Sequence, residues 1–203
     1  MSAPAPVTGI TGIVLAGGLG RRMSEDGAGV DKGLQALGGL PMVAHVIARL
    51  APQVDAILIN ANRNIAAYQQ FGYPVLPDVI AGFAGPLAGL HAGMLAATTR
   101  WVVTAPCDSP YLPLDLVVRL VTVAAADRAA IAVVRAGERL QPVFALVERS
   151  LSASLADYLA RGNRKIDLWY KGHAAVEVDF ADPAAFRNIN TRQELARYEQ
   201  GQP

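Results

Sequence analysis

The residues best suited to chemistry in this 203-residue chain are a glycine-rich run, a lysine that closes it and an aspartate far downstream. The run reads Leu15-Ala16-Gly17-Gly18-Leu19-Gly20-Arg21-Arg22-Met23 and continues to Asp31-Lys32-Gly33. Glycines let backbone N–H groups approach an anion with no Cβ in the way, and Arg21, Arg22 and Lys32 carry the charge to meet it. That combination suits a triphosphate. For Lys32, a phosphate clamp competes with the ordinary fate of a lysine, a solvated surface position. Adjacent residues in a turn rarely face the same way, so only one of Arg21 and Arg22 is expected to reach phosphate; Arg22 is carried as the catalytic candidate beside Lys32 and Asp108.

Asp108 lies in Pro106-Cys107-Asp108-Ser109-Pro110, directly after the apolar stretch Trp101 to Ala105. Two prolines stiffen the turn, and a carboxylate at the end of a strand emerges at the sheet edge. A hard oxygen ligand next to a triphosphate suits Mg²⁺, which takes one or two carboxylates and completes its shell with water and phosphate oxygens. The alternative is that Asp108 only caps the helix starting near Pro113. Beside the glycine run, the metal role is favoured.

Other phosphate motifs are excluded residue by residue. A P-loop requires Gly-Lys followed by Ser or Thr, and the chain contains no Gly-Lys pair. Gly18-Leu19-Gly20 could open a dinucleotide fingerprint, but its third glycine position is Met23. No histidine (His45, His91, His173) shares a short motif with a carboxylate or a nucleophile, so packing or surface roles are expected for all three. Cys107 is read as a small hydrophobe rather than a nucleophile.

The elements that must position these residues follow from periodicity and punctuation. Apolar runs at Gly12 to Leu15, Val54 to Ile59 and Trp101 to Ala105 read as buried strands. Short strands are expected at Pro74 to Leu76, Ala130 to Val134, Val143 to Val147 and Ala175 to Val178. Helices are expected from Pro41 through Leu50, Ile65 to Phe71, Pro86 to Ala97, Leu114 to Ala125, Ser150 to Ala160, Arg164 to Tyr170 and Arg192 to Tyr198. Strands alternating with helices predict an α/β, three-layer, Rossmann-like single domain over residues 1–203, with a mostly parallel central sheet and helices on both faces. Ligands of such sheets bind beyond the carboxyl ends of the strands. The glycine run, Asn60 and Asp108 all fall at such ends, so they are expected to face one crevice.

Composition bounds the rest. The chain is 52% hydrophobic and 17% charged, with net charge +1, so it is globular and carries no field for bulk nucleic-acid binding. A lone cysteine and the absence of a signal-like start make the cytoplasm the default location. Residues 1–10 read as a flexible leader. Val79 to Thr99 carries no charge, but its proline, histidine and glycines argue for a buried loop and helix rather than a membrane span.

Taken together, several segments resemble a known family. The glycine run with Asp31-Lys32-Gly33 is similar to the signature of Rossmann-like nucleotidyltransferases. Asn60-Ala61-Asn62-Arg63, Asp78 with Gly85-Pro86-Leu87-Ala88-Gly89, Pro106 to Pro110, and Asn188-Ile189-Asn190-Thr191 with Glu194-Leu195 resemble the molybdenum cofactor guanylyltransferase (MobA) family in particular. The similarity runs in order from about Thr11 to Tyr198. The resemblance implies that Leu15, Ala16, Gly17 and Gly18 contact GTP, that Lys32 meets its phosphates, and that Asn60 and Asp78 serve the nucleoside side. It implies that Asp108 holds Mg²⁺, and that Asn188 or Asn190 lies near the metal or the second substrate. The family often has glycine directly after the loop methionine and reaches Asp-Lys within a few residues. Here Ser24 to Val30 lengthens the loop, so its contacts are not carried over.

The implied reaction moves GMP from GTP to the terminal phosphate of molybdopterin or the molybdenum cofactor, releasing pyrophosphate. An attacking phosphate monoester is already ionised near neutrality, so the missing histidine motif is no objection. The N-terminal half is then the nucleotide side and the C-terminal half the pterin side, with Arg161, Arg164 and Lys165 either contacting substrate phosphate or forming an ordinary solvated turn. Molybdoenzymes or other cofactor-biosynthesis proteins are the implied partners, with neither nucleic acid nor membrane. The rival enzyme is a cytidylyltransferase of the same pterin; the rival from another class is a GTP-binding adaptor without catalysis.

Overall fold

In a computed structural model, residues 8–18, 30–80 and 85–200 are described. The expected positions Leu19 to Gly29, including both Arg21 and the candidate Arg22, lie outside them. The elements are β1 (Ile10–Leu15), β2 (Ala36–Leu37), β3 (Leu40–Pro41), α1 (Met42–Leu50), β4 (Ala56–Asn60), α2 (Ile65–Gln69), β5 (Val75–Leu76) and α3 (Pro86–Ala96). They continue with β6 (Trp101–Pro106), α4 (Leu116–Ala126), β7 (Ile131–Ala136), β8 (Arg139–Glu148), α5 (Ser152–Ala160), α6 (Ile166–Lys171), β9 (Ala175–Phe180) and α7 (Arg192–Glu199). β1 begins at Ile10, which is fully buried, so that residue belongs to the sheet; residues 1–7 of the leader expected over 1–10 lie outside the described residues.

Seven strands form one sheet in the order β5-β4-β1-β6-β8-β7-β9. β1 pairs in parallel with β4 and β6, β4 with β5, and β7 with β9; β8 alone runs antiparallel, against both β6 and β7. The mostly parallel sheet expected from the alternation of elements is therefore present. Both faces are covered because successive side chains alternate. Ile10 and Val14 of β1 face a layer that includes Val46 and Leu50 of α1, Tyr68 of α2 and Leu120 of α4. Ile13 faces the opposite layer, with Leu90 and Met94 of α3, Leu155 and Leu159 of α5, and Trp169 and Tyr170 of α6. Those two aromatics are core residues.

α3 shows why the middle of the uncharged stretch Val79 to Thr99 carries no charge: Leu87 through Met94 are all buried, so the body of the helix has no wet face. No helix among the described residues is long and apolar enough to cross a membrane.

Two features were not read from the sequence. A small hairpin joins β2 to β3 through Gly38 and Gly39, both at positive φ (59° and 84°), the geometry that two-residue hairpin turns demand. And β8 starts at Arg139, four residues before the strand expected at Val143. Pro142 sits within it, without an N–H for the ladder, and the register against β7 shifts between Val133 and Val134. Tyr170 donates its phenol to the Pro142 carbonyl at 2.9 Å, and Thr104 donates to the Val143 carbonyl at 2.6 Å, so the irregular stretch is tied down on both sides. That bulge presents Val143 to the site.

Candidate active site

The carboxyl edge of the parallel strands opens into a cavity of about 370 Å³. Leu15, Ala16, Gly17, Gly18, Lys32, Asn60, Asp78 and Asp108, all expected as site residues, line it together. The sheet order fixes how they are spread. Asp78 follows β5, Asn60 ends β4, Ala16 to Gly18 follow β1, and Asp108 follows β6. The edge thus runs from an amide and carboxylate cluster at one side, past glycine backbone, to an ammonium and carboxylate cluster at the other.

At the first cluster, Asn60 is 4% exposed and its amide donates to Asp78 Oδ1 at 2.9 Å and to the Leu76 carbonyl at 3.2 Å. Asn62 donates to Asp78 Oδ2 at 2.8 Å, and its own Oδ1 accepts the Asp78 backbone N–H at 2.8 Å. Both carboxylate oxygens are thereby oriented while each keeps lone pairs for a ligand that brings N–H or O–H groups. No role was expected for Asn62; its place two residues after Asn60, in the bend that follows β4, was the available signal.

At the second cluster, the Lys32 ammonium lies 2.7 Å from Asp108 Oδ2 and 2.7 Å from Asn190 Oδ1. Asp108 Oδ1 accepts from Asn188 at 3.0 Å, Asn188 Oδ1 accepts from Ser109 at 3.0 Å, and the Asp108 carbonyl takes the Ile189 N–H at 2.8 Å. Asp108 and Ser109 are both buried. The chain segment Asn188 to Asn190 is held by Ile189, fully buried against Leu37 and Met42, and by the cap of α7. There Thr191 accepts from the Glu194 N–H at 3.1 Å, and Glu194 Oε2 accepts the N–H groups of Asn190 and Thr191. Residues about eighty apart in sequence are brought to one carboxylate by that cap. Asp108 does not cap a helix; α4 begins at Leu116, after Asp115.

Asp108 is also the residue that could hold a divalent ion. Among the described residues there is no group of three or more His, Cys, Asp or Glu side chains of the kind that cages a metal. A single buried carboxylate, with the Asn190 amide oxygen meeting the same Lys32 ammonium, instead suits a hard cation that keeps waters and shares phosphate oxygens.

Between the two clusters lies the start of α3. Gly85, at φ 71°, lets the chain turn sharply into Pro86 at the first helical position, and both line the cavity. Cys107 lines it too, but the thiol is buried and its pKa is pushed well above the ordinary value, chiefly by burial, with the negative charge of Asp108 adding to it. It remains protonated and unreactive. His45 bonds the Leu37 carbonyl, His173 meets Ser154, and His91 is buried inside α3; none of the three lines the cavity.

The cluster of Arg161, Arg164 and Lys165 follows α5, which rises from the far end of β8 toward the same sheet edge. It does not line the cavity. Arg164 donates to the carbonyls of Leu159 and Asn163, at 2.9 and 2.7 Å, closing the C-terminus of α5.

Sequence comparison extends this picture over the whole chain. The model of the MobA-like NTP transferase domain matches residues 12–176. Molybdenum cofactor guanylyltransferase of Ralstonia nicotianae is 50% identical over 199 residues, covering 94% of this chain and 96% of its own. Its counterpart in Cupriavidus necator is 52% identical over 195 residues, with the same coverage of 94% and 96%. Among solved structures, molybdopterin-guanine dinucleotide biosynthesis protein A of Archaeoglobus fulgidus superposes with a TM-score of 0.75 at 21% identity, covering 94% of this chain and 97% of that one. That likeness is one of fold.

Proposed function

We propose, because this chain belongs to the MobA-like NTP transferase family, that it transfers GMP from GTP to the terminal phosphate of molybdopterin or the molybdenum cofactor and releases pyrophosphate. The observation that carries the reading is the meeting of Lys32, Asp108, Asn188 and Asn190 at one end of a cavity whose other end is built from Asn60 and Asp78. The spacing suits a nucleoside triphosphate laid along the sheet edge, base toward β4 and β5, phosphates toward β1 and β6.

The acceptor's phosphate oxygen attacks the α-phosphorus of GTP, and the bond from that phosphorus to the bridging oxygen breaks as pyrophosphate leaves. No proton needs to be removed from an ionised phosphate, which fits a cavity wall with no histidine. What the reaction does need is charge neutralisation between two anions and in-line positioning. Mg²⁺ held by Asp108 would supply part of that neutralisation. Lys32 leaves Asp108 for the phosphates, and the N–H groups of Gly17 and Gly18 donate to phosphate oxygens, that of Ala16 being held by the Asn60 carbonyl. Arg22 is the further cation we assign to the triphosphate. Asp78, held by Asn60 and Asn62, accepts from the donor groups of the nucleoside. Val143 and Asn188, both from the C-terminal half, face the pterin side, and we place the protein in the cytoplasm with both substrates.

The test is pyrophosphate release with GTP or CTP, with and without molybdopterin. Release with GTP that depends on the pterin is expected. A clear preference for CTP overturns the guanine assignment, and GTP binding without pterin-dependent release makes the protein an adaptor.

A further inference from the structure

Asp31 precedes Lys32, yet its carboxylate does not pair with that lysine. One oxygen accepts from Asn64 Nδ2 at 3.0 Å and the other accepts the phenol of Tyr68. Asn64 and Tyr68 stand four apart, one at the cap and one inside α2, so they face the same way and grip the two oxygens like a bracket. Tyr68 is fully buried, and its hydroxyl resists ionisation because of that burial, the nearby Cys107 and the bond to Asp31. It is a fixed hydrogen-bond donor rather than an acid.

The backbone around Asp31 is held equally closely. The Asp31 carbonyl accepts from the Leu34 N–H at 3.3 Å and from the Gln35 side chain at 3.2 Å, closing the single 3-10 turn of Lys32 to Leu34. Gly33 in that turn rests against the bracket itself: a Cβ there would stand 2.6 Å from the Tyr68 hydroxyl oxygen and 3.1 Å from the Cys107 sulfur. Asn64 adopts a left-handed conformation, φ 51°, which asparagine tolerates better than other residues with a Cβ, and from there its amide reaches Asp31. From this turn the Lys32 side chain reaches across to Asp108 and Asn190. Just before Asn64, the end of β4 and the residues that follow it carry Asn60 and Asn62 on the Asp78 side of the cavity.

We propose that Tyr68 and Asn64 are positioning residues: acting through Asp31, they set the Lys32 turn so that its ammonium meets the triphosphate, and they join the nucleoside side of the cavity to the phosphate side. The inference rests on the assignment of Lys32 to phosphate made above. Neither residue touches the cavity, and neither is predicted to contact GTP.

Tyr68→Phe keeps the ring and removes the hydroxyl. Two measurements on the full chain test the idea, with thermal unfolding to establish that the variant is folded. The first is trace acetylation of the nucleotide-free protein, with exposed Lys165 and Lys171 as internal references. Lys32 should label about fivefold faster, relative to them, in Tyr68→Phe than in wild type. The second is GTP affinity by calorimetry in a cycle with Lys32→Met. Tyr68→Phe should weaken GTP binding about tenfold when Lys32 is present and less than twofold when it is not. Unchanged relative labelling, or an equal penalty in both backgrounds, overturns the positioning role. Wild-type protein that fails to bind GTP would instead contradict the function proposed above, and with it this inference.

Discussion

Gly89 and Gly93 occupy successive turns of α3, and replacing each with alanine should damage different properties. At Gly89 a Cβ would overlap Asn60 Oδ1, and it would stand 2.6 Å from Leu15 Cδ2 and 2.8 Å from Asn60 Cγ. Ordinary contact begins near 3.4 Å, so the Asn60 amide must retreat by at least about 0.6 Å. Its bond to Asp78, now 2.9 Å, then lengthens past the useful range. A hydrogen bond to a charged group contributes about 1.5–3 kcal/mol, and alanine recovers about 1 kcal/mol of helix propensity over glycine. The net loss of stability is modest, on the order of 0.5–2 kcal/mol, but it falls on the wall of the nucleotide cavity. At about 1.4 kcal/mol per decade, a loss of that size felt in binding should raise the KM for GTP about two- to thirtyfold.

At Gly93 the added carbon instead strikes Ile13, standing 2.7 Å from its Cγ1, in the fully buried layer between β1 and α3. Overpacking there costs about 1–3 kcal/mol. GTP affinity should stay within about twofold of wild type. Urea unfolding and steady-state pyrophosphate release, run on both variants, separate the two effects. Gly89→Ala with an unaltered KM for GTP, or the same profile from both variants, would refute the packing argument.

Asp108→Asn should abolish metal-dependent turnover, a drop of at least about 100-fold for lost electrostatic stabilisation, with GTP still bound through Lys32; wild-type turnover on titration with Mg²⁺ would contradict the metal assignment. Burial lowers the pKa of His91, so its unfolded form takes up a proton below about pH 6.5 while the folded form does not; urea stability should fall as pH drops through that range, and fall less in His91→Gln. Burial raises Cys107, Tyr68 and Tyr170, so the unfolded chain releases protons first, and stability should decline above about pH 8.5–10. A thiol reagent at pH 8 should accordingly react with Cys107 far more slowly in the folded protein than after unfolding in urea.

Most of the site could be read from the order of residue types, because strand ends announce themselves. Apolar β1 stops at a glycine run, β4 at Asn60 and β6 at Asp108, and a parallel sheet gathers such ends on one edge. The antiparallel course of β8 was not legible, since a buried apolar run looks the same in either direction. Pro142 stands just before the strand expected at Val143, yet it lies inside β8, where the register against β7 shifts. The bracket on Asp31 was hidden for another reason: Tyr68 lies 37 residues from its partner, and a buried tyrosine on a short helix reads as core. Asn188 and Asn190 were visible only by resemblance. Their approach to Asp108 depends on Ile189 and the α7 cap, neither of which signals a ligand by itself.

The central claim, that this cavity moves a nucleotidyl group, is tested most directly by following the phosphorus. GTP labelled at the α-phosphate should pass its label to the pterin product in the presence of Mg²⁺ and molybdopterin, while label at the γ-phosphate appears in pyrophosphate. Transfer of the γ-label to the pterin, or release of free GMP with no labelled pterin, would contradict the account.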